Sequence, residues 1–193
     1  MKHPMTSRRF SRVSPGIALL VLALLVSVAG APGWAQQPGG PAVGRSAFTP
    51  NHIIKGDAIA AEGDVLIVDG TRVRLLGIDA PDPGQRCQNR HGREHDCFVM
   101  ATAVLNNLVK GRPVECVIAE TDRHAERKGE CRVRGVDLGA AMVARGWAFA
   151  YRSLSPSYAS NEAYAQSKRL GLWAGKVEKP WQWRSRQMRE RGS

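Results

Sequence analysis

The stretch Val65-Leu66-Ile67-Val68-Asp69-Gly70-Thr71-Arg72-Val73-Arg74-Leu75-Leu76 decides the fold. Two aliphatic, β-branched runs flank an Asp-Gly pair, and that pair suits a two-residue hairpin turn because both residues tolerate positive φ. With this turn, facing residues have numbers that sum to 139, so Asp64 faces Leu75. Working outward, His52 to Ala61 supplies a preceding strand. Asp96 caps a helix from about Cys97 to Val109, in which Phe98, Ala101, Leu105 and Leu108 recur at helical spacing before Gly111 ends it. Pro113 to Ile118 and Gly129 to Val136 read as two strands of a second hairpin. Asp137 caps a short helix closed by Gly146, and Ser155-Pro156 suit the start of another that runs to Leu170. Three strands, a helix, two strands and then helices describe an α+β chain. The matching architecture is a five-stranded antiparallel oligonucleotide-binding β-barrel with about three helices.

The chain has 193 residues and a formal net charge of +11, with 43% hydrophobic and 23% charged residues. That balance fits one globular domain and excludes a mostly disordered chain, a collagen-like repeat and a polytopic membrane protein. The charge is unevenly placed. Lys2, Arg8, Arg9 and Arg12 precede an apolar run from Gly16 to Ala31, and no acid occurs before Asp57. Residues 1–35 read as a signal peptide cleaved after Ala35, which places the mature chain in the periplasm or outside the cell. Losing those four cations and no acid lowers +11 to +7. Residues 36–50, rich in Gly, Pro and Ala, read as a flexible linker, and residues 51–193 hold the domain with a basic, frayed C-terminal tail. No stable membrane association is expected after cleavage, and the protein is expected to be a monomer.

Four cysteines in an exported chain point to disulfides rather than zinc, since no Cys-x2-Cys spacing occurs. If the second hairpin turns between Arg123 and His124, facing residues sum to 247, which pairs Cys116 with Cys131. Sequential connectivity then leaves Cys87 with Cys97.

Two acidic clusters flank the first hairpin, Glu62-Gly63-Asp64 and Asp79-Ala80-Pro81-Asp82, and Arg74 lies between them. Carboxylates are ligands for a hard divalent ion, and an arginine fork beside them is the group that binds a phosphodiester. On a flat strand Asp79 lies roughly 13 Å beyond the residue facing Asp64, so sharing one ion requires the chain to bend, and Gly77 is the bend point.

Glu62-Gly63-Asp64, Val73-Arg74-Leu75-Leu76-Gly77-Ile78-Asp79-Ala80-Pro81-Asp82, Asp122-Arg123, Gly135-Val136-Asp137-Leu138, Gly146-Trp147-Ala148 and Gly171-Leu172-Trp173-Ala174-Gly175 with Pro180-Trp181 closely resemble the thermonuclease (staphylococcal nuclease-like) family. The resemblance runs in order from about Asp57 to Trp183. It implies an oligonucleotide-binding barrel that hydrolyses DNA or RNA with Ca²⁺. It also implies Ca²⁺ ligation by Asp64, Asp79 and the Ala80 carbonyl, phosphate binding by Arg74, and water activation by Asp82. Two positions depart from the pattern. Asp82 stands where the family usually has Glu, one methylene longer. Glu126 stands where relatives carry a second phosphate-binding arginine in Asp-x-Tyr-Gly-Arg. Arg127 or Arg123 is the candidate replacement, and His124 and Tyr151 are candidate nucleotide contacts. With Asp82 and Glu126 at these positions, the rival reading is a catalytically weak or inactive barrel module that binds nucleic acid or another ligand.

Overall fold

The computed structural model describes residues 52–151 and 157–192. The expected signal peptide, linker and Ser155-Pro156 helix start lie outside them. Eleven strands and four α-helices are described. The N-terminal segment forms β1 (His52–Gly56) and β2 (Ala58–Glu62), and Asp57 alone separates them. The first hairpin is β3 (Val65–Val68) and β4 (Thr71–Leu75), with Val65 opposite Arg74 and Val68 opposite Thr71, which is the expected register. Asp69 and Gly70 have φ of 47° and 75°, so the turn is of the kind whose twist matches the strands. Beyond it the Leu75 amide donates to the Asp64 carbonyl at 2.8 Å.

After β5 (Ile78–Asp79) comes a small hairpin, β6 (Arg86–Gln88) with β7 (Glu94–Asp96), which the sequence pattern did not reveal. It leads into α1 (Cys97–Val109), where Asp96 accepts a cap hydrogen bond from the Val99 amide. The second hairpin is β8 (Val114–Thr121) with β9 (Arg127–Val133). Cys116 faces Cys131 and is bonded to it, and the Cys87–Cys97 bond completes the sequential pairing. Beyond Ile118 the register slips by one residue through a bulge, which re-aims the turn end of the hairpin.

The chain continues through β10 (Val136–Asp137), α2 (Leu138–Ala144) and β11 (Phe149–Ala150) to α3 (Ala159–Ser167). A 3₁₀ turn (Gly171–Ala174) and α4 (Pro180–Arg191) end it. α3 begins later and ends earlier than expected. α4 is a correction: the expected frayed tail is a 12-residue helix opened by Pro180, where the missing amide costs nothing.

The main sheet runs β1-β8-β9-β4-β3-β2, with β10 on β9. It is not purely antiparallel, because β4 and β9 pair in parallel. Its first and last strands are consecutive in the chain, so the sheet must curl for both to reach their partners. The α+β class holds, with four α-helices instead of about three, and the expected five-stranded antiparallel barrel is instead a mixed seven-stranded sheet with two separate two-stranded ones. α1 and α2 cover the sheet, and their buried Ala101, Leu105, Val109, Leu138 and Met142 join Leu66, Val73, Leu75 and Val133 in one core. A second cluster unites the Cys87–Cys97 bond, Phe149 and Leu172, with Trp147, Trp173 and Trp181 packed against it. Phe149 meets Trp173 and Trp181 edge-on at 5.1 and 6.0 Å, which docks α4 on the domain.

Candidate active site

The first hairpin projects Arg74 from the end of β4, beside Asp64 just before β3. Arg74 Nη1 donates to Asp64 Oδ2 at 3.0 Å. Asp64 is almost fully buried. Burial pushes its carboxyl up to about 7; Arg74 opposes the rise, and the charges of Asp79 and Glu62 add to it.

Asp79 reaches the same face by a break, not by a smoothly coiled strand. β4 stops at Leu75, Gly77 turns the chain at φ 78°, and Asp79 pairs in register with Phe149 of β11 in a separate short sheet. The close approach of the two acidic segments depends on Gly63. A Cβ there would lie 2.8 Å from the Ala80 Cβ and 2.7 Å from that of Ala101, so no side chain fits between them. The motif Glu62-Gly63-Asp64 thus presses against Asp79-Ala80 because its middle residue has no side chain.

Asp82 follows in a half-buried loop organised by Gln85, which is fully buried. Gln85 Oε1 accepts from the Asp82 amide at 3.2 Å, and its Nε2 donates to the Glu178 carbonyl at 2.6 Å. One buried amide side chain therefore ties the Asp82 loop to the segment entering α4. A buried glutamine must satisfy both its donor and its acceptor, and here the acceptor has a local partner and the donor one far along the chain.

The principal residue missed by sequence reasoning is Arg184 on α4. Its Nη1 donates to Asp79 Oδ1 at 3.1 Å and to Asp82 Oδ2 at 2.8 Å, and its Nη2 donates to Asp79 Oδ2 at 2.7 Å. The Asp79 and Asp82 carboxylates raise the Arg184 value further above its ordinary range, the hydrogen bond that Arg184 donates to Asp79 foremost. Burial raises the carboxyl of Asp82, with Arg184 opposing it. The spacing of Pro180 at a helix start and the i,i+4 pair Arg186–Glu190 at 3.0 Å were the available signals for a helix here. Nothing local marked Arg184 over Arg186, which instead pairs with Glu178 at 3.0 Å.

The turn of the second hairpin places Glu126 on Arg74, with Arg74 Nε and Nη2 each 3.1 Å from Glu126 Oε1. Burial works to lower the Arg74 value, but Asp64, Glu126 and Glu62 together outweigh it and raise the value. Arg127 pairs through its backbone with Val73 and Thr121 and takes no part in these hydrogen bonds. Arg123 Nε donates to His124 Nε2 at 3.1 Å in an exposed turn. Lys128 shares the register of Arg74 on the neighbouring strand but is bound to Glu120 at 2.8 Å. Tyr151 stacks against Trp181 at 5.5 Å, beside α4, and Tyr158 is buried with its hydroxyl donating to Asp137. Thus Arg74, Asp64, Glu62, Asp79 and Asp82 gather with Glu126 and Arg184, while Arg123, His124 and Arg127 stay outside.

The donor chemistry fits a hard divalent cation. The groups are oxygen-only, and Asp64 and Asp79 are both buried carboxylates. Among the described residues no three acidic, His or Cys side chains are spaced to hold a metal by themselves.

Fold and site together define an oligonucleotide-binding-type α+β domain with an arginine-and-carboxylate face. Residues 72–175 match the model of the family described as staphylococcal nuclease homologue, and the chain belongs to that family. A micrococcal nuclease of Shigella flexneri is 31% identical over 179 residues, covering 85% of this chain and 90% of the relative. A probable staphylococcal-like nuclease of Oryza sativa subsp. japonica, CAN1, is 32% identical over 127 residues, covering 64% of this chain and only 35% of the relative. Succinoglycan biosynthesis protein ExoI of Rhizobium meliloti is 30% identical over 128 residues, 65% of this chain and 67% of the relative. Asp64 and Arg184 both lie outside the matched segment.

Proposed function

We propose that this protein is an exported, Ca²⁺-dependent nuclease that hydrolyses phosphodiester bonds of DNA or RNA. The observation that carries the reading is the convergence of Arg74, Asp64, Asp79 and Asp82 at one end of the sheet, in a chain related to proteins named nucleases. Arg74 binds the scissile phosphate and stabilises the charge that grows on it in the transition state. Asp82 orients a water and takes its proton as the new phosphorus–oxygen bond forms and the leaving oxygen departs. Ca²⁺ bound by Asp64, Asp79 and the Ala80 carbonyl would supply electrostatic neutralisation of the phosphate. Tyr151, whose ring lies 5.5 Å from that of Trp181 beside α4, would contact a base.

The pairing of Arg74 with Glu126 favours a second reading, a nucleic-acid-binding module without turnover, because the guanidinium meant for phosphate already carries two carboxylates. Digestion of plasmid and of RNA by the purified protein separates the two readings. Cleavage with Ca²⁺ that stops with chelator and with Arg74→Ala is the expected result. No cleavage, or cleavage indifferent to both, sinks the nuclease reading.

A further inference from the structure

We propose that Arg184 is the second phosphate-binding guanidinium of this site, and that it exchanges its hold on Asp79 and Asp82 for the substrate phosphate when a cation takes Asp79. The inference rests on the site reading above. Arg184 lies beyond the family-matched segment, on a helix whose role the relatives' names do not touch.

Three observations carry it. The position in the hairpin turn where a second arginine was expected holds Glu126, and neither Arg123 nor Arg127 joins the carboxylate cluster. Arg72 reaches only Glu62, and Arg184 is the guanidinium that holds Asp79 and Asp82. It has five N–H donors, of which three are spent on Asp79 and Asp82, leaving Nε–H and one Nη2–H for a further acceptor. Its side chain keeps 37% of its surface exposed, so a phosphate can reach it.

Energetics favour the exchange. A part-exposed ion pair contributes little net stability, so Asp79 and Asp82 do not hold Arg184 irreversibly. A divalent cation and the guanidinium draw on the same Asp79 oxygens, so each weakens the other's hold. A phosphodiester offers the released guanidinium the same bidentate oxygen geometry it loses. Cation and phosphate then bind with positive coupling, and the coupling is reciprocal. Docking of α4 through Trp181, and the Gln85 bridge to Glu178, keep the helix in place while only the arginine side chain turns.

The test is made on the full chain with two probes: Ca²⁺ alone, followed by calorimetry, and a short phosphorothioate single strand, followed by anisotropy in saturating Ca²⁺. Arg184→Gln is expected to tighten Ca²⁺ binding several-fold in the absence of the oligonucleotide and to weaken oligonucleotide binding by roughly tenfold. The slope of log affinity against log salt should flatten by about 0.7, the loss of one phosphate contact on a single strand. Arg184→Lys should keep that slope. Arg186→Gln, which removes an equal charge from the same helix but touches no site carboxylate, should match the wild type in all three readings. Oligonucleotide affinity within twofold of wild type in Arg184→Gln, weaker Ca²⁺ binding, or a wild type that binds no oligonucleotide overturns the proposal. Should Arg184→Gln fail to fold, Arg184→Lys decides, because a flattened salt slope in that variant overturns it equally. A wild type that binds as described but does not cleave defeats the nuclease reading and leaves the role of Arg184 standing.

Discussion

Arg74 and Arg184 meet the same acidic face from opposite kinds of scaffold. Arg74 sits in a strand whose register is set by a two-residue turn, ten residues from the Asp64 it binds. Arg184 sits on a terminal helix, 105 residues from Asp79, and reaches it through an aromatic dock and a buried glutamine. The first arginine is placed by local geometry and the second by tertiary packing. Arg74 is held by the more buried partner, since the Asp64 side chain is 5% exposed against 10% for Asp79. The sheet arginine is therefore the fixed element of the pair, and the helix arginine the exchangeable one.

Replacing the fixed arginine should have the largest effect. Arg74→Ala is expected to lower kcat by on the order of 10²–10³-fold, the usual cost of losing one preorganised transition-state donor. Initial rates on a defined oligonucleotide measure it, and a loss below tenfold would place the phosphate elsewhere. Undocking the helix comes next. Trp181→Ala removes a ring packed on Phe149 and Tyr151, and should cost roughly 2–3 kcal/mol in urea unfolding while loosening Arg184. Unchanged unfolding would mean that α4 contributes nothing to the second core cluster.

Glu126→Gln sharpens the contrast from the other side. It frees Arg74 from one of its two hydrogen-bonded carboxylates, and should raise kcat/KM several-fold, mainly by lowering KM. A lower kcat/KM would show that Glu126 positions Arg74 productively. The smallest effect is expected from Asp82→Glu. A shortened base misplaced by about 1 Å loses rate, so restoring the methylene should raise kcat modestly, and an equal or lower kcat counts against the shortfall.

Legibility in the sequence followed the same divide. The first hairpin, the Cys116–Cys131 pair and the limits of α1 were readable because turn residues, strand register and cap chemistry act over a few residues. The acidic clusters and Arg74 were readable for the same reason. The parallel pairing of β4 with β9 was not, since nothing within either strand encodes a partner 50 residues away. Splitting of the first strand at Asp57 also escaped notice, because it reflects how the two sheet ends meet. The role of Glu126 was half legible. Its charge forecast conflict with phosphate, but only the fold showed it resting on Arg74. Arg184 was hidden among several basic residues of a polar helix, where charge alone distinguishes none of them.

The strand that splits at Asp57 has one more consequence. β1 and β2 are each five residues long, and each pairs on the main sheet along one side. The rows of amide and carbonyl groups left along their outer sides are correspondingly short. Long unpaired edges invite other chains to add strands, whereas short ones give an incoming strand too few hydrogen bonds to take hold. By dividing its first strand between the two ends of the sheet, the chain leaves little template on which a second copy can begin to aggregate.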